Sequence, residues 1–298
     1  MYVFRASLST LKTEDMVAIA EKTVQAGAFE WFYREVEPET PNDKPPLVLL
    51  HGLPAQGYSW RGVLTALGKS GFRAIAPDWI GMGFSAKAEK FEFAYTPEAY
   101  IKALDEFLDV LELPCVTLGV QGFLGSVGLQ YALRHADRIH RLVILNTPVS
   151  TTAKLPWRIR QLGLPLAGEM FTQDPLLVDR TLEGGGPYQV SDADLDVYRR
   201  PFLASSSAGR SLFIAVRNLQ LPKAMAEIEA GLKTWEKPTL IAWGLSDPWL
   251  SVEMAETLAK SLSDVSFSKL EEVGHYAQED WHEKVSEALI PFLRRQAY

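Results

Sequence analysis

The sequence predicts an α/β fold, a mostly parallel sheet covered by helices on both faces with a helical segment inserted late in the chain. Three observations carry this. Short apolar or β-branched runs alternate with longer segments of helical period. No internal repeat or low-complexity segment interrupts that alternation. Between Pro148 and about Glu236 the rhythm breaks into short helical patches separated by glycine, proline and serine.

The strands read in order as "KTVQA", "EWFYREV", "PLVLL", "FRAIAPD", "VTLGVQ", "LVILNT", "PTLIAW" and "VSFSKL". Residues 96–111 form an amphipathic helix: Thr96 caps it, Pro97 stands in its first turn, and Tyr100, Leu104, Phe107, Leu108 and Leu111 share one face. A last helix from about Glu279 stacks Trp281, Val285, Leu289 and Leu293 at intervals of four. The broken stretch, with "LPWRIRQLGLPLAGEMF", "RTLEGGGPYQV" and "SDADLDVYRRPFLASSSAG", falls between two strands that would otherwise be neighbours. It reads as a helical cap over 148–236, inserted into a main domain made of residues 1–147 and 237–298.

A chain of 298 residues, 47% hydrophobic, can bury a sizeable core. Its longest apolar runs, such as "LVLL" and "LVIL", fall far short of the roughly 20 residues that cross a bilayer. "MYVFRASLST" lacks the apolar centre of a secretory signal, so a cytoplasmic protein is expected. The net charge is −7 with lysines and arginines scattered, which disfavours nucleic-acid and membrane partners. The single cysteine, Cys115, has no disulfide partner and no ligating neighbours and reads as a small buried hydrophobe at a strand start. No metal and no cofactor are expected.

"HGLPAQGYSW", "DWIGMGFS", "YALRHADRIHRLVILNTP", "WGLSDPW" and "EEVGHYAQED" occur in an order and spacing that resembles the α/β-hydrolase fold, and in particular the branch containing haloalkane dehalogenases and epoxide hydrolases. The resemblance runs from about Lys22 to the C-terminus and is weakest in the cap. It implies an eight-stranded, mostly parallel sheet and a site built from a nucleophile on a strand-to-helix turn, a histidine base and a carboxylate. By resemblance the base is His275 and the acid Asp247, and the oxyanion donors are the backbone amides of Leu53 and Phe123.

The nucleophile position falls on Gly122, which has nothing to attack with. Glycine accepts the strained positive-φ backbone of that turn at almost no cost. Val120 and Leu124 occupy flanking sites that the family usually keeps small. Ser126, one helical turn later, lacks a small residue two positions before it, and "SSS" at 205–207 reads as a loop. Gln121 has an amide able to hold a water, or is a buried strand residue satisfied by backbone. Leu53 and Phe123 stand where dehalogenases usually carry Asn and Trp, so a departing halide has no side-chain donor. Trp79, Tyr188 and Tyr198 are further candidates for the pocket. Tyr188 and Tyr198 resemble the ring-opening tyrosines of epoxide hydrolases, although "DVYRRPF" reads more plainly as a packed cap helix.

Two functions remain open. In one, Asp247 and His275 act as a general base on water or on a small apolar substrate beneath the cap, without covalent catalysis. In the other, the protein is catalytically silent and binds a small apolar ligand or a protein partner. An oriented histidine favours the first, and a nucleophile replaced along with its flanks favours the second.

Overall fold

The structure, a computed structural model, describes residues 18–296 apart from 39, 41, 42 and 175. The stretch in which a secretory signal was sought lies outside the described residues. Eight strands form one sheet in the order β1-β2-β4-β3-β5-β6-β7-β8. They are β1 (Ala20–Ala26), β2 (Phe29–Val36), β3 (Leu47–Leu50), β4 (Ala74–Pro77), β5 (Val116–Gln121), β6 (Ile139–Leu145), β7 (Thr239–Gly244) and β8 (Val265–Leu270). The β1–β2 hairpin and the β2–β4 pair are antiparallel, and all pairings from β4 through β8 are parallel. Each of the eight runs read from the sequence contains most of one strand.

The pleat sorts neighbouring residues to opposite faces. Val48, Leu142, Ile144 and Ile241 join one core, packed by α2 (Pro97–Val110) and α3 (Gly122–Arg134). Leu47, Leu49, Val143, Leu145 and Leu240 join the other, packed by α1 (Arg61–Lys69) and by the C-terminal helix. Because both faces are covered, β3, β4, β5 and β7 are buried end to end. Thr96 caps α2 by accepting from the Ala99 amide at 3.3 Å. Cys115, expected to be buried, is half-buried just before β5, because it lies outside the strand.

Between β6 and β7, which pair directly, the described residues form helices and no strand: α4 (Trp157–Arg160), α5 (Ala167–Phe171), α6 (Leu177–Glu183), α7 (Asp192–Ala204), α8 (Ser206–Asn218) and α9 (Leu221–Leu232). The serine run expected as a loop instead starts α8, because the Ser205 hydroxyl accepts from the Ser207 amide and caps it. After β7 come α10 (Val252–Ser261), α11 (Ala277–Asp280) and α12 (His282–Arg294). The expected continuous last helix is broken at Trp281, whose backbone leaves the helical region at φ −149°, ψ 73° and whose side chain is 40% exposed, lying against Lys284. The Asp280 carboxylate turns back to accept from the Gly274 amide at 2.7 Å, which ends α11 there. Val285, Leu289 and Leu293 are buried as their spacing requires.

No helix among the described residues is long and apolar enough to cross a membrane, and no cluster of three possible metal ligands occurs among them.

Truncating Leu118, fully buried at the centre of β5, to alanine is expected to cost about 2–5 kcal/mol, whereas Thr96→Ala costs about 1 kcal/mol through the lost cap. Urea unfolding midpoints of the two variants check the ordering.

Candidate active site

The site forms where four loops meet at the carboxyl ends of the parallel strands. β5 ends at Gln121, and the chain turns into α3 through Gly122 at φ +70°, a backbone that only glycine adopts freely. Space is also restricted. A Cβ on residue 122 would stand 3.1 Å from Gly52 Cα and 3.3 Å from His275 Nε2.

The loop after β3 carries the second wall. His51 is neutral and structural: its Nδ1–H donates to the Gly52 carbonyl at 2.9 Å, and its Nε2 accepts from the Trp79 amide at 3.1 Å. Burial, with Arg34 nearby, lowers its pKa to about 4. Trp79 is committed to the same loop, its indole N–H donating to the His51 carbonyl at 3.1 Å.

The loops after β7 and β8 bring in Asp247 and His275. The His275 Nδ1–H donates to Asp247 Oδ2 at 2.8 Å, and both side chains are essentially inaccessible. Asp247 Oδ1 accepts from the amides of Trp249 at 2.8 Å and Leu250 at 3.1 Å, and Oδ2 also accepts from Asn146 Nδ2 at 2.8 Å. These donors hold the carboxylate at a fixed angle to the imidazole. On the far side of the ring, His275 Nε2 is buried and has no hydrogen-bond partner among the described residues. Phe123 stacks on the imidazole at 5.4 Å between centroids, and Trp249 tilts against it at 4.7 Å.

The sequence pattern of the alpha/beta hydrolase fold family matches residues 45–280. This chain belongs to that family. The family member haloalkane dehalogenase of Mycobacterium marinum is 31% identical to it over 265 residues, covering 85% of this chain and 86% of that one. The cis-3-alkyl-4-alkyloxetan-2-one decarboxylase of Xanthomonas campestris pv. campestris is 29% identical over 276 residues, 86% of this chain and 91% of that one. Among solved structures, haloalkane dehalogenase DbeA of Bradyrhizobium elkani superposes with a TM-score of 0.78 at 23% identity, over 93% of this chain and 98% of that one, a likeness of fold.

Within this hydrolase-family frame the expected site residues separate into two groups. His275, Asp247, Gly122, Gln121 and Phe123 surround one point, and the Gly52–Leu53 loop abuts it. Gln121 is a staple there, its Oε1 accepting from the Gly52 amide at 3.2 Å and its Nε2 donating to the His275 carbonyl at 2.8 Å. Ser126 turns away and donates to the Phe123 carbonyl at 2.7 Å. Tyr198 lies in a cluster with Tyr276 and Val178, with the half-buried Tyr188 against it. Its hydroxyl donates to the Glu279 carboxylate, which Arg61 grips through two bonds of 2.6 and 2.7 Å.

Four contacts had no signal strong enough to be read in advance. Asn146 joins Asp247 to the Gly244 amide, which its Oδ1 accepts at 2.8 Å, and its carbonyl accepts from the Gly122 amide at 3.2 Å. Its φ of +36° suits asparagine, which was the available clue in "LNTP". Tyr276 donates to the Leu53 carbonyl at 2.7 Å, Trp249 covers His275, and the Gly185 carbonyl of "GGG" accepts from the His275 amide at 2.7 Å.

Gly122→Ala is expected to lower stability by about 1–3 kcal/mol from backbone strain alone, with crowding of Gly52 and His275 added, as a thermal melt would show. A pH dependence follows from Asp280, whose burial, reinforced by Glu279 and Asp247, pushes its pKa from 3.8 up to about 7. Between those values the folded state keeps a proton that the unfolded state releases, so this group's contribution to stability falls as pH rises through the window. Asp280→Asn should flatten that part of the stability profile, measured by denaturant unfolding at a series of pH values.

Proposed function

We propose that this hydrolase-fold protein is an enzyme in which Asp247 and His275 act as a general base on water or on a small apolar substrate, without a covalent intermediate, beneath residues 148–236 acting as a cap. The observation that carries the reading is the unpartnered His275 Nε2. Of the buried side-chain atoms without a partner among the described residues, it alone belongs to a residue type that serves as a general base. A buried nitrogen left unpaired costs about 1–3 kcal/mol, and such an atom in a folded protein calls for a bound molecule or a catalytic role. With Nδ1–H donated to Asp247, the lone pair stands on Nε2, where a base needs it.

The chemistry then runs through water. A water beside Nε2 gives its proton to His275, and its oxygen bonds to an electrophilic carbon. Asp247 stabilises the imidazolium, and the Leu53 and Phe123 amides serve as donors to the developing oxyanion. His275 returns the proton to the leaving group as the bond to carbon breaks. Gly122, at the position where the family resemblance expects a nucleophile, contributes no attacking atom. The names of the relatives point to compact apolar electrophiles, haloalkanes and alkyl-oxetanones. The side chains of Leu53 and Phe123 offer a halide no N–H, so an ester or lactone carbonyl fits better than a haloalkane.

The second reading, a silent member that binds a small apolar ligand or a protein partner, is favoured by the complete burial of His275 and by the 3.1 Å approach to Gly52 Cα at the missing Cβ.

A panel of activated esters, alkyl-lactones, epoxides and haloalkanes separates the two. Turnover of a carbonyl substrate is expected without an initial burst. It should fall about a hundredfold or more in His275→Ala, general-base loss being worth about 10²–10⁴. Fluorophosphonate probes should leave the protein unlabelled, and single turnover in ¹⁸O-water should place the label in product only. No His275-dependent turnover on any panel member would establish the silent reading.

A further inference from the structure

We propose that the segment from Lys154 to Leu176 is a docking face for the surface of an anionic lipid bilayer. The inference is independent of the proposed reaction. Five large apolar residues in this short stretch face water: Trp157 (63% exposed), Leu166 (93%), Met170 (75%), Phe171 and Leu176. A scattered exposed leucine needs no explanation, but a patch of this composition in one segment marks an interaction surface.

Packing sets α4 and α5 side by side. Gly168 of α5 lies so close to the Phe213 ring of α8 that a Cβ there would stand 2.7 Å from it, which fixes the buried side of α5. Leu166 and Met170 are left on the outward side. Phe171, at the end of α5, and Arg158, on α4, line the same shallow depression, which joins the two helices laterally. The Arg158 guanidinium donates to the Arg180 carbonyl at 3.2 Å and so lies along the same surface.

Leu166 adds a second observation. Its backbone stands at φ +68°, ψ −44°, with the Ala167 amide donating to the Pro165 carbonyl at 2.8 Å, a γ-turn of the rare positive-φ kind. A leucine held in a strained turn and pushed into water gains nothing from this chain's own core.

Charge selects the partner. Lys154, Arg158 and Arg160 flank the apolar residues and have no carboxylate partner among the described residues, whereas Asp174 is already paired with Arg180 at 2.7 Å. Glu169 is the remaining acid of the segment. A net positive, Trp-bearing apolar face on a chain of net charge −7 is the arrangement by which a protein sits in the headgroup layer. The sequence disfavoured a membrane partner on its short apolar runs and scattered cations. Neither criterion registers a patch assembled from short helices.

The test is co-sedimentation of the full chain with vesicles of phosphatidylcholine alone and of phosphatidylcholine mixed with phosphatidylglycerol. Binding is expected to the mixed vesicles only, weakened by salt. Arg158→Glu with Arg160→Glu should weaken it at least about 25-fold, from about fivefold for each of the two cations lost near an anionic surface. Leu166→Ser with Met170→Ser should release the protein while leaving its thermal midpoint and its circular dichroism unchanged. No sedimentation with mixed vesicles, or sedimentation indifferent to both variants, would overturn the proposal. So would concentration-dependent self-association of the free protein that Leu166→Ser with Met170→Ser abolishes, since the face would then belong to a second copy of the chain.

Discussion

Close approach of backbones at the carboxyl edge of the sheet is the constraint on which the rest of the site depends. A Cβ on Gly52 would meet the Gln121 carbonyl and Gly122 Cα at 3.0 Å, and one on Gly122 would meet Gly52 Cα at 3.1 Å. Neither loop can carry a side chain at this point unless the other moves. The approach brings the β3 loop and the β5–α3 turn into van der Waals contact, and His275 fills the space beside them. With residue 122 a glycine, His275 Nε2 stands 3.3 Å from where a Cβ on that residue would begin.

That approach is held by buried polar side chains that each join elements distant in the chain. Gln121 ties the β3 loop to the His275 loop, and Asn146 ties β7 and Asp247 to the Gly122 turn. Amides buried without partners would be costly, so each of these bonds fixes a backbone as well as a side chain. Within that arrangement His275 has one nitrogen fully committed and the other open. His51 differs, since both of its ring nitrogens are engaged.

How much of this was legible follows from how local each feature is. The eight strands were readable because each is a short run of apolar residues, and Thr96 was readable because a cap acts over three residues. The Asp247 and His275 pair was readable through family spacing, not through any local property. Asn146, Tyr276 and Gly185 were not, because their partners lie 101, 223 and, for Gly185 and His275, 90 residues away in sequence (275 − 185). Trp281 fitted a helical period and still fell outside the helix, since a tertiary bond from the Gly274 amide to Asp280 outweighs the preference of one residue. "SSS" reads as a loop by composition, and only the geometry of Ser205 against the Ser207 amide turns it into a helix start.

The buried Asp247 and His275 are enclosed by two kinds of contact. Lifting α7 would part Tyr198 and Asp194 from Glu279, Arg61 and Tyr58. This network contains a carboxylate that is almost wholly buried and a guanidinium three-quarters covered, and breaking a buried pair costs about 3–5 kcal/mol. The covering over His275 itself is aromatic ring contact. Trp249 is half-buried, touches the imidazole through ring contact, and bonds Asp247 through its backbone amide, so its indole carries none of the Asp247 interaction. The rings of Phe123, Trp249 and Tyr276 thus cover the imidazole without sharing, as rings, in the hydrogen bonds that hold it to Asp247.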